Sequence, residues 1–131
     1  MSEITTHVLD TVLGKPAAGI PVRLERLSGG WVEVSANGEG VERAERVESA
    51  PGDWVEIAAG VTDADGRCRD LEKNAEPGDY RLIFDVGGYF RRLGRSSIYP
   101  EIPITFTCGH DAHYHLPLLV SDNGYTTYRG S

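Results

Sequence analysis

The apolar pattern of this chain predicts an all-β fold, a sandwich of short antiparallel strands with one short helix. Three observations predict it. Apolar residues alternate with polar ones over short runs, the period of a half-buried strand. These runs are bounded by Gly, Pro, Asn and Asp, and 16 glycines and 7 prolines in 131 residues let the chain reverse often. The runs recur at short, regular intervals, as the strands of a sandwich do.

Taken in order, the expected strands are residues 4–9, 22–27, 31–34, 55–58, 67–70, 80–86, 104–108, 114–120 and 125–129. In 4–9 the period of two puts Ile4, Thr6 and Val8 towards the core and Thr5, His7 and Leu9 on the other face. Residues 36–53 break the pattern, forming an acidic insertion that reads as a solvated loop or extension around Pro51-Gly52. Val41, Ala44 and Val47 recur every third residue there, so a helical turn is the alternative. Trp31-Val-Glu-Val and Trp54-Val-Glu-Ile flank it, either as two strands of one extended hairpin or as a local duplication. Tight turns are expected at Asp65-Gly66 and Asn123-Gly124, dipeptides that tolerate positive φ. The helix is expected over 88–93, with Tyr89, Phe90 and Leu93 on its apolar face and Gly94 ending it.

A chain of 131 residues is long enough for a single domain with a real core and too short for two. Its formal net charge of -7 argues against nucleic acid, which needs clustered Lys and Arg to displace counterions. No apolar segment is long enough to span a bilayer, and the first residues lack a basic stretch followed by an apolar one, so no membrane partner and a cytoplasmic location are expected. Cys68 and Cys108 lie far apart without C-x-x-C spacing, so neither a disulfide framework nor a zinc ribbon is indicated and free, semi-buried thiols are expected.

The candidates for chemistry are the histidines His7, His110, His113 and His115, because imidazole exchanges protons near neutral pH. His7 faces away from the core. In 113–120, Tyr114, Leu116 and Leu118 share the core face, while His113, His115, Pro117 and Leu119 share the other. Apolar side chains beside two imidazoles on an outward face suggest an oligomer interface or a ligand cleft. Surface histidines without a role are the plainer alternative. Zinc held by His113, His115 and His7 is another, but no cysteine or carboxylate cluster completes such a set. No G-x-S-x-G elbow is present, which leaves Ser131 an unusual nucleophile, and residues 128–131 taken alone read as a frayed chain end.

Four segments change that reading: T-H-V-L-D at 6–10 with G-K-P-A-A-G following from Gly14, T-D-A-D-G-R at 62–67, H-Y-H-L-P-L-L at 113–119, and Y-R-G-S at 128–131. With them the chain resembles the transthyretin-like 5-hydroxyisourate hydrolases over nearly its whole length. The resemblance implies a transthyretin-like (prealbumin-like) sandwich of about eight strands in two sheets with one short helix. It also implies a homotetramer whose sites lie at the dimer-dimer interface. The activity implied is hydrolysis of 5-hydroxyisourate to 2-oxo-4-hydroxy-4-carboxy-5-ureidoimidazoline in urate breakdown, with no cofactor. The catalytic residues carried over are His7, Arg67, His115 and Ser131, with Tyr128, Arg129 and Gly130 on the substrate. Transthyretin, the carrier that looks like a sister of this group, lacks the histidine, arginine and Y-R-G-S set, so binding without catalysis is the alternative. The chain departs from the family in the length of its insertion at 36–53, which spares every motif.

Overall fold

The computed structural model describes residues 1–28, 31–34, 43–46 and 52–131. Among them lie β1 (Ser2–Asp10), β2 (Lys15–Pro16), β3 (Pro21–Leu27), β4 (Trp31–Val34), β5 (Arg43–Arg46), β6 (Trp54–Val61), β7 (Arg67–Ala75), β8 (Gly78–Phe84), α1 (Val86–Arg92), β9 (Ile102–Cys108), β10 (His113–Ser121) and β11 (Gly124–Thr127). β1 is the centre of a five-stranded sheet. β10 lies on one side of it with β11 beyond, and β7 and β2 share the other side, β7 along residues 2–7 and β2 at residues 9–10. A second sheet runs β6-β3-β8-β9, antiparallel throughout.

The two sheets face each other across one apolar core, as the alternation predicts. The first sheet contributes Ile4, Val8, Leu116, Leu118 and Val120, and the second contributes Val22, Leu24, Leu82, Phe84 and Ile102. Val86, Tyr89 and Phe90 of α1 join the same cluster. Thr6, also on the core side of β1, donates to the Leu116 carbonyl at 2.6 Å, which satisfies a hydroxyl that burial would otherwise penalise. No helix among the described residues is long and apolar enough to cross a membrane.

Several local expectations need correction. The helix begins at Val86 rather than Gly88, and Leu93 lies just past its end with nearly half its surface exposed. The Leu93 and Gly94 region closes the helix with Gly94 donating to the Arg91 carbonyl and Arg95 to the Phe90 carbonyl, a pattern that turns the chain away. Both cysteines are free, and they are fully buried rather than half-buried. The two Trp-Val-Glu segments do not pair with each other: β4 pairs with β5 and β6 pairs with β3. Arg43–Arg46 is a strand, so the helical turn drawn through Ala44 does not form, while Val41 and Val47 lie outside the described residues. At the β10–β11 hairpin Ser121 pairs with Gly124, so the loop residues are Asp122 and Asn123. Asp65-Gly66 joins two strands that belong to different sheets, making a corner rather than a hairpin ladder. One pair is parallel, β1 with β10, and that exception positions the outward histidines.

The far end of β1 is fastened by a buried carboxylate. Asp10 accepts from the amides of Val12 and Leu13 at 3.0 and 3.1 Å, from the Tyr89 hydroxyl at 2.7 Å and from Arg95, whose guanidinium also holds Asp122. Burial alone would raise the Asp10 carboxyl, but hydrogen bonds from Arg95, Leu13 and Tyr89 outweigh it and hold the group below its ordinary value. A carboxylate with a depressed folded value stabilises the fold above the ordinary carboxylate range, and that contribution disappears as the pH falls through the lowered value. Asp10→Ala is expected to reduce the unfolding free energy at pH 7 by about 3 kcal/mol, the usual cost of stripping one partner from a buried pair. Urea unfolding checks this, and a loss under about 1 kcal/mol would contradict it.

Candidate active site

The site is built on the outer face of the first sheet. Along β1 the residues Ser2, Ile4, Thr6, Val8 and Asp10 are buried, which turns Thr5, His7 and Leu9 outwards, as the period of two predicts. Because β1 and β10 run parallel, paired residues share a face. Thr5 stands beside His115 and His7 beside Pro117. His7 and His115 are therefore diagonal neighbours, roughly 8 Å apart at Cα by strand spacing and rise. On the other side of β1, His7 pairs directly with Arg67 at the start of β7, after two register shifts further along that strand pair.

The turn that delivers Arg67 is held by Asp63, whose carboxylate accepts from the amides of Asp65 at 2.9 Å and Arg67 at 3.0 Å. Gly66 sits at φ +77, and a Cβ there would lie 2.3 Å from the Val8 carbonyl oxygen, so no other residue fits without moving β1. The same turn orients His7. Its Nε2 lies 2.7 Å from the Asp65 carbonyl, and since a carbonyl only accepts, Nε2 carries the proton in this contact.

A cavity of about 510 Å³ opens on this face, lined by Glu3, Thr5, Thr6, Arg67, Cys68, Arg69, His113, His115 and Ser131. His7 lines an adjoining groove of about 460 Å³, with Asp65, Pro16, Arg67 and Arg69, so the two guanidiniums border both spaces. Arg67, His115 and Ser131 thus share one cavity, and His7 reaches the same arginine from the next. The tail is folded back to make this possible. Gly130 donates its amide to the His115 carbonyl at 2.7 Å, and a Cβ on Gly130 would come within 2.8 Å of His115 Cδ2. The close approach therefore needs glycine. Arg129 does not line the cavity: its guanidinium lies 4.3 Å over the Tyr114 ring and donates to Asp111 and to the His113 carbonyl. Tyr128 is more than half exposed and His110 is exposed.

Burial pushes the His115 imidazole below its ordinary value, and the positive charges of His113, Arg67 and His7 when protonated push it the same way. His115 is therefore neutral at neutral pH and available for proton transfer. His113 Nε2 and His115 Nδ1 both lie on the Thr5 hydroxyl, at 2.9 and 2.8 Å. No group of three or more His, Cys, Asp or Glu among the described residues is arranged to hold a metal ion.

Residues 4–130 match the model of the HIUase/Transthyretin family. The chain belongs to that family. It is 40% identical over 132 residues to the 5-hydroxyisourate hydrolase of Salmonella typhimurium, covering 98% of this chain and 80% of that one. The solved structure of Klebsiella pneumoniae 5-hydroxyisourate hydrolase superposes with a TM-score of 0.74 at 32% identity, covering 100% of this chain and 94% of that one. Transthyretin from Sparus aurata superposes equally well, with a TM-score of 0.75 at 26% identity and coverage of 99% and 97%. Shape alone does not separate the two kinds of relative, so function has to be argued from the residues of the site.

Alternation turned His7 and His115 outwards and the family resemblance added Arg67 and Ser131, but neither singled out Glu3, Thr5 or Arg69 as lining the cavity. The signal for these was present, since Glu3 and Thr5 precede His7 at steps of two and Arg69 follows Arg67 by two. By nuclear magnetic resonance the His115 ring is expected to titrate below 6.5, the ordinary imidazole value. Arg67→Gln removes a neighbouring cation, which eases protonation and moves the midpoint upwards. An unchanged or lower midpoint in the variant would contradict this electrostatic account.

Proposed function

We propose that this chain hydrolyses 5-hydroxyisourate, a planar oxidised purine formed during urate breakdown, and does so without a cofactor. The observation that carries the reading is the grouping of two imidazoles, a guanidinium and Ser131 on one sheet face. The relatives named hydrolases support the substrate. In the reaction, the oxygen of water bonds to the carbonyl carbon of the six-membered ring, the carbon-nitrogen bond breaks, and the freed nitrogen takes a proton. The product carries a carboxylate and a ureido group, so atoms balance.

His7 and His115 together position water, take its proton and return one to the leaving nitrogen. With Nε2 of His7 donating to Asp65, the neutral ring keeps Nδ1 as an acceptor. Arg67 offers a planar fork of donors to the substrate oxygens and to the oxyanion that forms as water adds. Ser131 closes one wall, held there by the bridge of Gly130 to His115. Tyr128 and Arg129 approach substrate in the assembled protein, which we read as a homotetramer with sites at the dimer-dimer interface. Partly buried Leu9 and Leu119 on the site face and exposed Tyr125 on the edge strand β11 support such packing. Two buried free thiols fit a reducing cytoplasm.

Following the ultraviolet decay of freshly made 5-hydroxyisourate tests the reading. The wild-type protein is expected to outpace spontaneous decay, and His7→Ala, Arg67→Ala, His115→Ala and deletion of residues 128–131 to lose about 10²–10⁴-fold in rate. Decay at the spontaneous rate with the wild-type protein, with the purine bound but unchanged, would make this a carrier. Equal rates across the variants would reject the residue roles.

A further inference from the structure

We infer that Thr5 and His113 are positioning residues that fix the tautomer of His115, holding its proton on Nε2 so that this ring meets substrate as a donor. The inference rests on the hydrolase reading above for its kinetic meaning, but not for its geometry. Thr5 Oγ1 lies between two imidazole nitrogens, 2.9 Å from His113 Nε2 and 2.8 Å from His115 Nδ1. A hydroxyl has one proton and cannot donate to both. It could accept from both, but its own proton would then have no protein acceptor among the contacts of Thr5 Oγ1, so the arrangement that satisfies all three groups has one ring donating to Thr5 and the other accepting from it.

Glu3 decides the direction. Its carboxylate oxygen lies 3.7 Å from the same His113 Nε2, and a carboxylate beside a ring nitrogen favours the protonated nitrogen. His113 Nε2–H therefore donates to Thr5, and Thr5 donates its own proton to His115 Nδ1. With Nδ1 accepting, neutral His115 carries its proton on Nε2, the one nitrogen left for a ligand in the cavity. The parallel pairing of β1 with β10 sets this chain of bonds, since it places Glu3 opposite His113 and Thr5 opposite His115. Glu3, Thr5, His113 and His115 all line the same cavity.

His7 and His115 then have opposite tautomeric duties. His7 gives its Nε2 proton to the Asp65 carbonyl and keeps Nδ1 bare, so it takes the proton from water. His115 presents Nε2–H, so it supplies the proton that the departing ring nitrogen needs. A second acceptor at His115 would leave that nitrogen without a donor.

The ring nitrogens of His115 are distinguishable by ¹⁵N resonance in protein labelled at histidine, above the titration midpoint and without substrate. The wild-type protein is expected to show protonated Nε2 and bare Nδ1. Thr5→Val removes the hydroxyl at nearly constant shape; a population with protonated Nδ1 appears, and kcat falls about tenfold with KM little changed, because an interaction felt mainly in the transition state is lost. Thr5→Ser, which keeps the hydroxyl, restores both. A wild-type His115 protonated on Nδ1 would overturn the inference, as would a Thr5→Val protein with kcat within twofold of wild type. If the wild-type tautomer is as stated but 5-hydroxyisourate is not consumed, the hydrolase reading fails and the tautomer lock stands.

Discussion

The parallel register of β1 against β10 is the constraint on which the site depends. These strands belong to opposite ends of the chain, yet they form the centre of the first sheet, with residues 3–10 matched one to one against residues 113–120. Side chains alternate at a period of two, so a slip by one residue would bury His115 and expose Leu116. The register that fills the core with Ile4, Val8, Leu116 and Leu118 is thus the register that turns Thr5, His7 and His115 outwards together. Burial of apolar surface chooses it, at roughly 25 cal/mol per Å² removed from water, and the polar face follows without separate cost. Asp10 and Arg95 fasten the end of β1, where Thr11 also donates to the Val120 carbonyl.

From this anchor the other groups arrive by short-range means. Asp63 caps the turn that brings Arg67 beside His7, and Gly66 lets that turn press against Val8. The bridge from Gly130 to His115 folds the tail over the face and brings Ser131 to the cavity. The local electrostatics agree with proton transfer. Burial, with the neighbouring charge of Arg67 acting the same way, holds His115 below its ordinary value, while that guanidinium stays available for negative charge. Similar superposition on a hydrolase and on a transthyretin shows that the sandwich itself is indifferent to chemistry. What the face displays makes the difference.

Much of this was legible in the sequence. Alternation at 4–9 and 113–120 gave the orientation of His7 and His115 correctly, because one buried side per strand leaves a clear period. The helix was legible from Tyr89 and Phe90, but its start was misplaced: Val86 is apolar and extends the strand pattern, and only the three-dimensional turn at Asp85 separates them. The pairing of β1 with β10 was not legible, since it is a contact between residues more than a hundred apart that no local pattern encodes. Hence Thr5 was legible as an outward residue of β1 but not as the partner of two imidazoles, a role that depends on which strand lies beside it. Arg43–Arg46 was equally opaque, a strand of charged residues and one alanine whose pairing with β4 leaves no alternation to read.

The most direct test of the central claim is a set of interstrand nuclear Overhauser contacts in the isotopically labelled full chain. The account predicts backbone contacts that place Thr5 against His115 and His7 against Pro117, in the staggered pattern of parallel strands. A contact pattern displaced along β10 by one residue or more, or an antiparallel pattern between these segments, would contradict it and dismantle the site.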